Sequence, residues 1–440
     1  MSVQQQSAPD GWEVKRLKDV ADIRFSSVDK KSRPGEKPVR LCNYLDAYQN
    51  EYLTGRESFM RATATESEIA EFSLLSGDVI ATKDSETPDD IAVPAVFLGD
   101  KPGLVCGYHL ALIRPDKKKL NPVFLAKQIR HHRLARYFGR MSNGLTRYGL
   151  PTSAFDLAEI WRPELPEQDA IALVLKNVDE AIRHTAAVIE KLRKMKAGLL
   201  LDLLTRGIDE SGQLRDPVSQ PDRFKDSVLG RVPSCWEVKP MMKAAERIQD
   251  GTHFSPHSKS GPFLYLTSKN IRFGSLDFSN AGYISAKEHE FIYSRCPVEY
   301  GDVLLTKDGA NTGNAALNTL AYPFSLLSSV AFIRCDGRSL HSGFVLQYLL
   351  APLTQRRLKD QMSGNAIPRI TVTKIERFPI PVPEPSEQLR IVRVLDCHDE
   401  RLRREEAARK KLVLMKQGLM HDLLTGHVRV PESVRGAKHG

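Results

Sequence analysis

Residues 191–205 read KLRKMKAGLLLDLLT, and residues 411–425 read KLVLMKQGLMHDLLT. Ten of these fifteen positions are identical at an offset of 220 residues. Both copies space their apolar residues for a helix. Outward from them the duplication continues, which marks an internal repeat. Trp12-Glu13-Val14-Lys15 recurs as Trp236-Glu237-Val238-Lys239, and Pro38 recurs as Pro262, both at an offset of 224. Gly77-Asp78-Val79 and Thr82-Lys83-Asp84 recur as Gly301-Asp302-Val303 and Thr306-Lys307-Asp308. Glu167-Gln168 recurs as Glu387-Gln388 at an offset of 220. The chain is therefore two tandem copies, about 1–207 and 208–427, of one arrangement.

Within each copy a globular portion comes first. Its short β-rich runs, LSGDVIAT and YHLALIR in the first copy and DVLLT and SVAFIR in the second, are bounded by Gly-Asp, Pro and Asn-Gly turn signals. A helix is expected to follow each last strand, over 123–137 and 343–359. The portion reads as mixed α/β. A proline-rich exit follows, Arg162-Pro163-Glu164-Leu165-Pro166 and then Pro379 to Pro385 with alternate prolines. Proline excludes a helix interior, so each exit is extended. A long helix comes next, over about 167–204 and 387–424. Ile171, Leu175, Val178, Ile182, Ile189, Leu192, Met195 and Leu199 form its stripe in the first copy. Ile391, Leu395, Leu402, Leu412, Met415 and Leu419 form it in the second, interrupted by the charged block RLRREEAARKK at 401–411. At about 1.5 Å per residue each helix is a rod of roughly 57 Å. The economical partner for each stripe is its own duplicate, packed antiparallel. Gly207 and Gly426 are the expected C-caps.

Lys and Arg number 64 against 54 Asp and Glu in 440 residues, a net charge of +10. That balance favours a polyanionic partner, most simply nucleic acid. The six cysteines are scattered without a C-x-x-C pair, which suits reduced thiols in a cytoplasmic protein. No signal-peptide core and no apolar run long enough for a membrane span are present.

No phosphate-binding loop, dinucleotide fingerprint or paired-histidine zinc motif occurs, and no metal site is expected. The acids of Thr82-Lys83-Asp84 and Thr306-Lys307-Asp308 are too few for a nuclease centre. Basic features carry more. Lys127, Arg130, Arg133, Arg136 and Arg140 recur every three or four residues, one cationic stripe if the segment is a single helix. The adjacent His131-His132 pair is expected at the surface. Lys83, Lys307 and Asn311 follow the Gly-Asp-Val strands. Asn143 and Arg147 lie in the loop MSNGLTR, and Asn365 and Arg369 in MSGNAIPR. Arg suits guanine edges and Asn suits adenine edges.

The duplicated order, globular portion then Glu-Gln-led helix, resembles the specificity (S) subunit of type I restriction–modification enzymes. The resemblance rests on Phe224-Lys225-Asp226-Ser227, Gly230, Val232-Pro233 and Trp236-Glu237-Val238. It continues through Asp250-Gly251-Thr252-His253, Gly261-Pro262-Phe263-Leu264, Asn270-Ile271, Gly301-Asp302-Val303-Leu304 and Leu423-Leu424-Thr425-Gly426. The first copy departs from it, with Phe25-Ser26-Ser27-Val28 in place of Asp-Gly-Thr-His, and Arg206 between Thr205 and Gly207.

The resemblance implies two target-recognition domains, 1–166 and 230–385, with conserved spacer helices at 167–207 and 386–427, a linker at 208–229 and a tail at 428–440. Each domain would read half of a split, asymmetric site on double-stranded DNA, and His253 and Lys269 join the candidate DNA contacts. Ile182, Leu192, Met195, Leu199 and Leu203 in one helix and Leu402, Leu412, Met415, Leu419 and Leu423 in the other would form the spacer. They would also dock two methyltransferase (M) subunits, and restriction (R) subunits would complete the nuclease. This chain would catalyse nothing and bind no cofactor, with S-adenosylmethionine, ATP and Mg on its partners. The alternatives are the specificity subunit of another multisubunit restriction system, a DNA-acting enzyme in its own right, or a coiled-coil scaffold whose basicity is incidental.

Overall fold

The computed structural model describes residues 7–362 and 368–432. The chain forms two compact units, one of Met1–Ala186 with Ala407–Gly440 and one of Ala187–Glu406. These units do not follow the sequence halves. Each contains one globular domain, the start of one long helix and the end of the other.

In the first unit a five-stranded sheet runs in the order Ala21–Phe25, Leu110–Pro115, Val79–Thr82, Pro94–Phe97, Tyr52–Leu53. All neighbours are antiparallel except the last pair. The central strand follows Gly77, whose φ of +93° suits the turn, and the Asp78 carboxylate accepts from Leu75 N at 2.7 Å. Side chains alternate across a sheet. Val79 and Ala81 therefore enter one core with Phe124, Trp161, Ile171 and Leu423, while Ile80 enters a second core with Leu41, Phe97 and Leu112. A three-stranded sheet, Met60–Ala64, Lys37–Cys42 and Leu104–Cys106, covers that second core.

The second unit repeats the plan. Its four-stranded sheet runs Arg247–Asp250, Val330–Arg334, Val303–Thr306, Ala315–Leu317. Val303 and Leu305 face the core that holds Leu203 and Ile391, and Leu304 faces the other. Arg334 grips Asp302 with two nitrogens at 2.8 and 2.9 Å, as Arg114 grips Asp78 at 2.8 Å twice.

The helix expected over 123–137 is two helices, Pro122–Arg130 and His132–Met141, broken at His131 with ψ 141°. In the second unit Ser342–Leu350 and Pro352–Gln361 break at Ala351 with ψ 139°. Proline at the first position of Pro352–Gln361 explains that break, because it drives the preceding residue out of the helical region. The linker assigned to 208–229 contains the strand Phe224–Ser227, which forms a hairpin with Gly230–Pro233.

The long helices are Leu165–Thr205 and Pro385–Leu424. Each starts with a proline in its first turn, where no intrahelical N–H is needed. Gly207 and Gly426 follow their ends at φ +64° and +66°. In the second unit Arg193 pairs with Glu406 at 2.8 Å and Lys196 with Asp399 at 2.5 Å, so the segments run antiparallel. The block at 401–411 is mostly exposed, and Glu406 is its tie to the other helix.

The repeated Glu-Gln pair joins helix to domain. Gln168 is fully buried; its Nε2 donates to Pro163 O and Lys119 O, and its Oε1 accepts from Asn121 N at 2.9 Å. Gln388 does the same with Pro383 O, Ser339 O and His341 N. Glu387 accepts from Ile208 N, Trp236 Nε1 and both terminal nitrogens of Arg215. Glu167 receives Arg429 at 2.6 Å through two nitrogens. The segment assigned as a tail from 428 thus includes an anchor at Arg429, and Val430 is buried.

A buried charge cluster completes the first unit. Asp179 of the first long helix and Glu51 share Lys127 and Lys416, and Arg130 lies 3.3 Å from Glu51. Tyr52 donates to Asp179 at 2.8 Å. In the second unit Asp399 takes Lys196 at 2.5 Å, with Gln347 in place of Lys127. The duplicated Asp and Lys thus meet reciprocally, Asp179 with Lys416 and Lys196 with Asp399. Burial pushes the Glu51 carboxyl up, but Lys127, Arg130 and Lys416 outweigh it and bring it down to about 2. A depressed carboxyl contributes stability fully above its ordinary value of 4.5 and loses it as pH falls toward 2. Glu51→Gln is therefore expected to cost roughly 3 kcal/mol at neutral pH, because it strands buried cations. It should also flatten the loss of stability between pH 4.5 and 2, which chemical denaturation across that range measures.

Candidate nucleic-acid interface

In both units a loop returns to cap the end of the central strand. Leu150 N donates to Lys83 O at 2.9 Å, and Ile370 N donates to Lys307 O at 2.8 Å. The caps place Thr-Lys-Asp and the loops at 142–149 and 368–370 side by side, so two sets of residues predicted separately form one surface in each domain.

In the first domain that surface is a cleft of about 1120 Å³ with Lys30, Tyr44, Tyr48, Asp84, His109 and Arg147 on its walls. Asp84 lies 2.7 Å from His109 Nδ1. Lys83 sits over Phe25 at 4.9 Å and Tyr108 at 4.5 Å, and burial lowers its pKa. Tyr44 and Tyr48 stack with centroids 5.5 Å apart. Arg147 is exposed on the same cleft, and Asn143 is exposed in the loop that carries it. The tyrosines were not singled out from the sequence. Their signal was present as an i, i+4 pair on the helix Tyr44–Gln49, led by an Asn43–Asp46 capping box.

The second domain fills the same place differently. Lys307 is 2% exposed and held by Asp308 at 2.9 Å and Asp250 at 3.3 Å. Arg369 reaches Asp308 at 2.9 Å while staying exposed, and the exposed His253 lies 3.4 Å from Asp250. Asn311 donates to Ser268 O at 3.1 Å, and Lys269 is exposed beside it. Asn365 lies outside the described residues.

The expected cationic stripe is corrected by the break at His131. Lys127 is 3% exposed and neutralised by Glu51 and Asp179, so it cannot meet a phosphate. Lys307 is corrected for the same reason. Arg130 is half-buried against Glu51. Arg133 lies over the Trp161 ring at 4.2 Å and donates to Gln128 and Glu159 O. Burial brings its pKa down to about 10. Arg136 and Arg140 are exposed. His131, expected at the surface, is buried, and His132 is exposed.

On the long helices Leu192, Leu203 and Leu423 are buried. Leu203 and Leu423 enter the cores of the two units and seat helix ends there, so they are not free for docking. Ile182, Leu199, Leu402, Leu412 and Leu419 are half-buried. The duplicates Met195 and Met415 are exposed at 48% and 43%. Among the described residues no helix is long and apolar enough to cross a membrane.

The profile of the Type I restriction modification DNA specificity domain matches residues 9–194 and 265–413. The type I restriction enzyme MjaVIII specificity subunit of Methanocaldococcus jannaschii is 24% identical over 438 residues, covering 96% of this chain and 94% of that protein. The MjaIX specificity subunit of the same organism is 21% identical, with 96% and 95% covered. Among solved structures the S subunit of a type I restriction-modification system from M. genitalium aligns with a TM-score of 0.57 at 15% identity, over 96% of this chain and 98% of that one. A chain from a structure addressing complex assembly and conformational transition of the type I R-M system aligns at 0.54 and 17%, over 96% and 100%. With two matched regions, two copies of one domain plan and a duplicated helix, the chain belongs to the family of type I restriction–modification specificity subunits.

Proposed function

We propose that this subunit reads a bipartite, asymmetric site on double-stranded DNA, one half with each domain, and docks the subunits that carry out the chemistry. The observation that carries the reading is one capped strand-end surface built twice with different side chains. Tyr44, Tyr48, His109 and Arg147 occupy it in the first domain; His253, Lys269, Asn311 and Arg369 occupy it in the second. A shared backbone with unlike donors and acceptors suits two half-sites of different sequence. Arg136 and Arg140 add phosphate contacts that position without specifying.

The docked subunits would be two methyltransferase subunits, with restriction subunits completing the complex. S-adenosylmethionine, ATP and Mg would sit on those partners, and adenine methylation and ATP-dependent cleavage would be theirs. Support for paired docking comes from Met195 and Met415, the same residue of the duplicated helix exposed in both copies. Exposed methionine is an adaptable contact for a partner surface.

Selection of bound duplexes from a random pool by the assembled complex is expected to return two unlike short motifs separated by unread bases. One contiguous motif or a palindrome would refute the reading. Arg147→Ala and Arg369→Ala are each expected to relax preference at positions in one motif only, by about 1–3 kcal/mol per base pair. Arg136→Ala is expected to weaken all sequences alike and to reduce the salt slope by about one.

Met195→Asp is expected to halve the methyltransferase recovered with the purified subunit, and Met195→Asp with Met415→Asp to abolish it, with an unchanged melting temperature. Leu192→Asp places a charge at a buried site and is expected to lower the melting temperature instead. Mass photometry and thermal melts on the same preparations separate the two effects.

A further inference from the structure

Three of the chain's 12 histidines meet in the first unit. His131 sits at the break between Pro122–Arg130 and His132–Met141, His132 follows it, and His421 lies in the last turn of the second long helix. Ring centroids are 4.0 Å apart for His131 and His132, 6.0 Å for His131 and His421, and 5.7 Å for His132 and His421. One ring nitrogen of each lies within 4.8 Å of the other two. His131 is 5% exposed, and its buried Nε2 has no hydrogen-bond partner. A buried nitrogen without a partner carries a desolvation cost that nothing in the fold offsets. A neutral imidazole offers one ring-nitrogen lone pair, and at His131 the Nε2 is the ring nitrogen that no protein group satisfies.

The second copy shows that the fold does not require these side chains. At the offset of 220 their counterparts are Ala351, Pro352 and Leu201. Those three line an apolar cavity of about 230 Å³ with Leu200 and Leu204. The same helix break is built there without a histidine.

We infer that His131, His132 and His421 bind one transition-metal ion of the zinc class, which clips the end of the second long helix to the first recognition domain. Three neutral imidazoles suit Zn²⁺, Co²⁺, Ni²⁺ or Cu²⁺, with water in an open position. Hard ions such as Mg²⁺ take oxygen ligands, and this cluster offers imidazole nitrogens alone. Metal–nitrogen bonds of about 2.0–2.1 Å require nitrogens roughly 3.4 Å apart, so the two exposed rings swing inward by about an ångström while buried His131 stays.

The test uses the untagged full-length chain freed of metal by chelation. Titration with Co²⁺ is expected to develop the visible bands of a nitrogen-ligated ion, saturating at one per chain, and Zn²⁺ should displace it. Zn²⁺ should raise the melting temperature of the wild type, and Mg²⁺ should not. His421→Leu installs the residue the second copy already carries. It and His132→Gln are each expected to weaken Zn²⁺ binding by about a hundredfold or more, while melting like wild type in chelator. Absence of the cobalt bands overturns the inference, as does wild-type affinity in both variants.

Discussion

Two lysines and two carboxylates have to leave water together. Lys127 and Lys416 are 3% and 17% exposed, and Asp179 is 8% exposed. Each ion alone would cost several kcal/mol to bury, so none is stable there unless the others are in place. Asp179 comes from the first long helix, Lys416 from the second, and Glu51 and Lys127 from the recognition domain. The cluster therefore fixes four separate stretches of chain at one point. Its counterpart, Lys196 with Asp399, does so in the second unit from the same two positions with the helices exchanged.

That exchange explains why the compact units ignore the sequence halves. A duplicated helix packed antiparallel on its duplicate offers its start to one unit and its end to the other. The core of the first unit accordingly holds Ile171 and Leu175 beside Leu423 and Leu424. The core of the second holds Ile391 and Leu395 beside Leu203 and Leu204. The buried Gln168 and Gln388 then tie each helix start to its own domain through three backbone groups. Such bonds tolerate no substitute of another shape, because the buried carbonyls and N–H would be left unpaired.

The capped strand-end surfaces follow a different rule. Backbone bonds from Leu150 and Ile370 hold the two loops in the same place, and nothing in those bonds depends on the side chains at the surface. The side chains were free to diverge, and Lys83 and Lys307 show it. One lies between two aromatic rings, and the other is sequestered by two acids.

The repeat, the mixed α/β class, the long helices, their glycine caps and the antiparallel pairing were all legible in the sequence. They depend on local periodicity and on matches at a constant offset. The exposed Arg147, Arg369, Met195 and Met415 were legible as residues of interest. Which basic residues face water was not. Spacing predicts one stripe only if Lys127 to Arg140 share a helix axis, and the break at His131 removes that axis. Glu51 and Asp179 reach Lys127 from 76 and 52 residues away, distances at which no local pattern exists. Arg429 closes on Glu167 across 262 residues, and His421 meets His131 by the same return of the chain. The sequence alone determined what is repeated; the tertiary structure decided which charges are buried as partners and which remain exposed, because burial depends on segments that meet only after the helices pair.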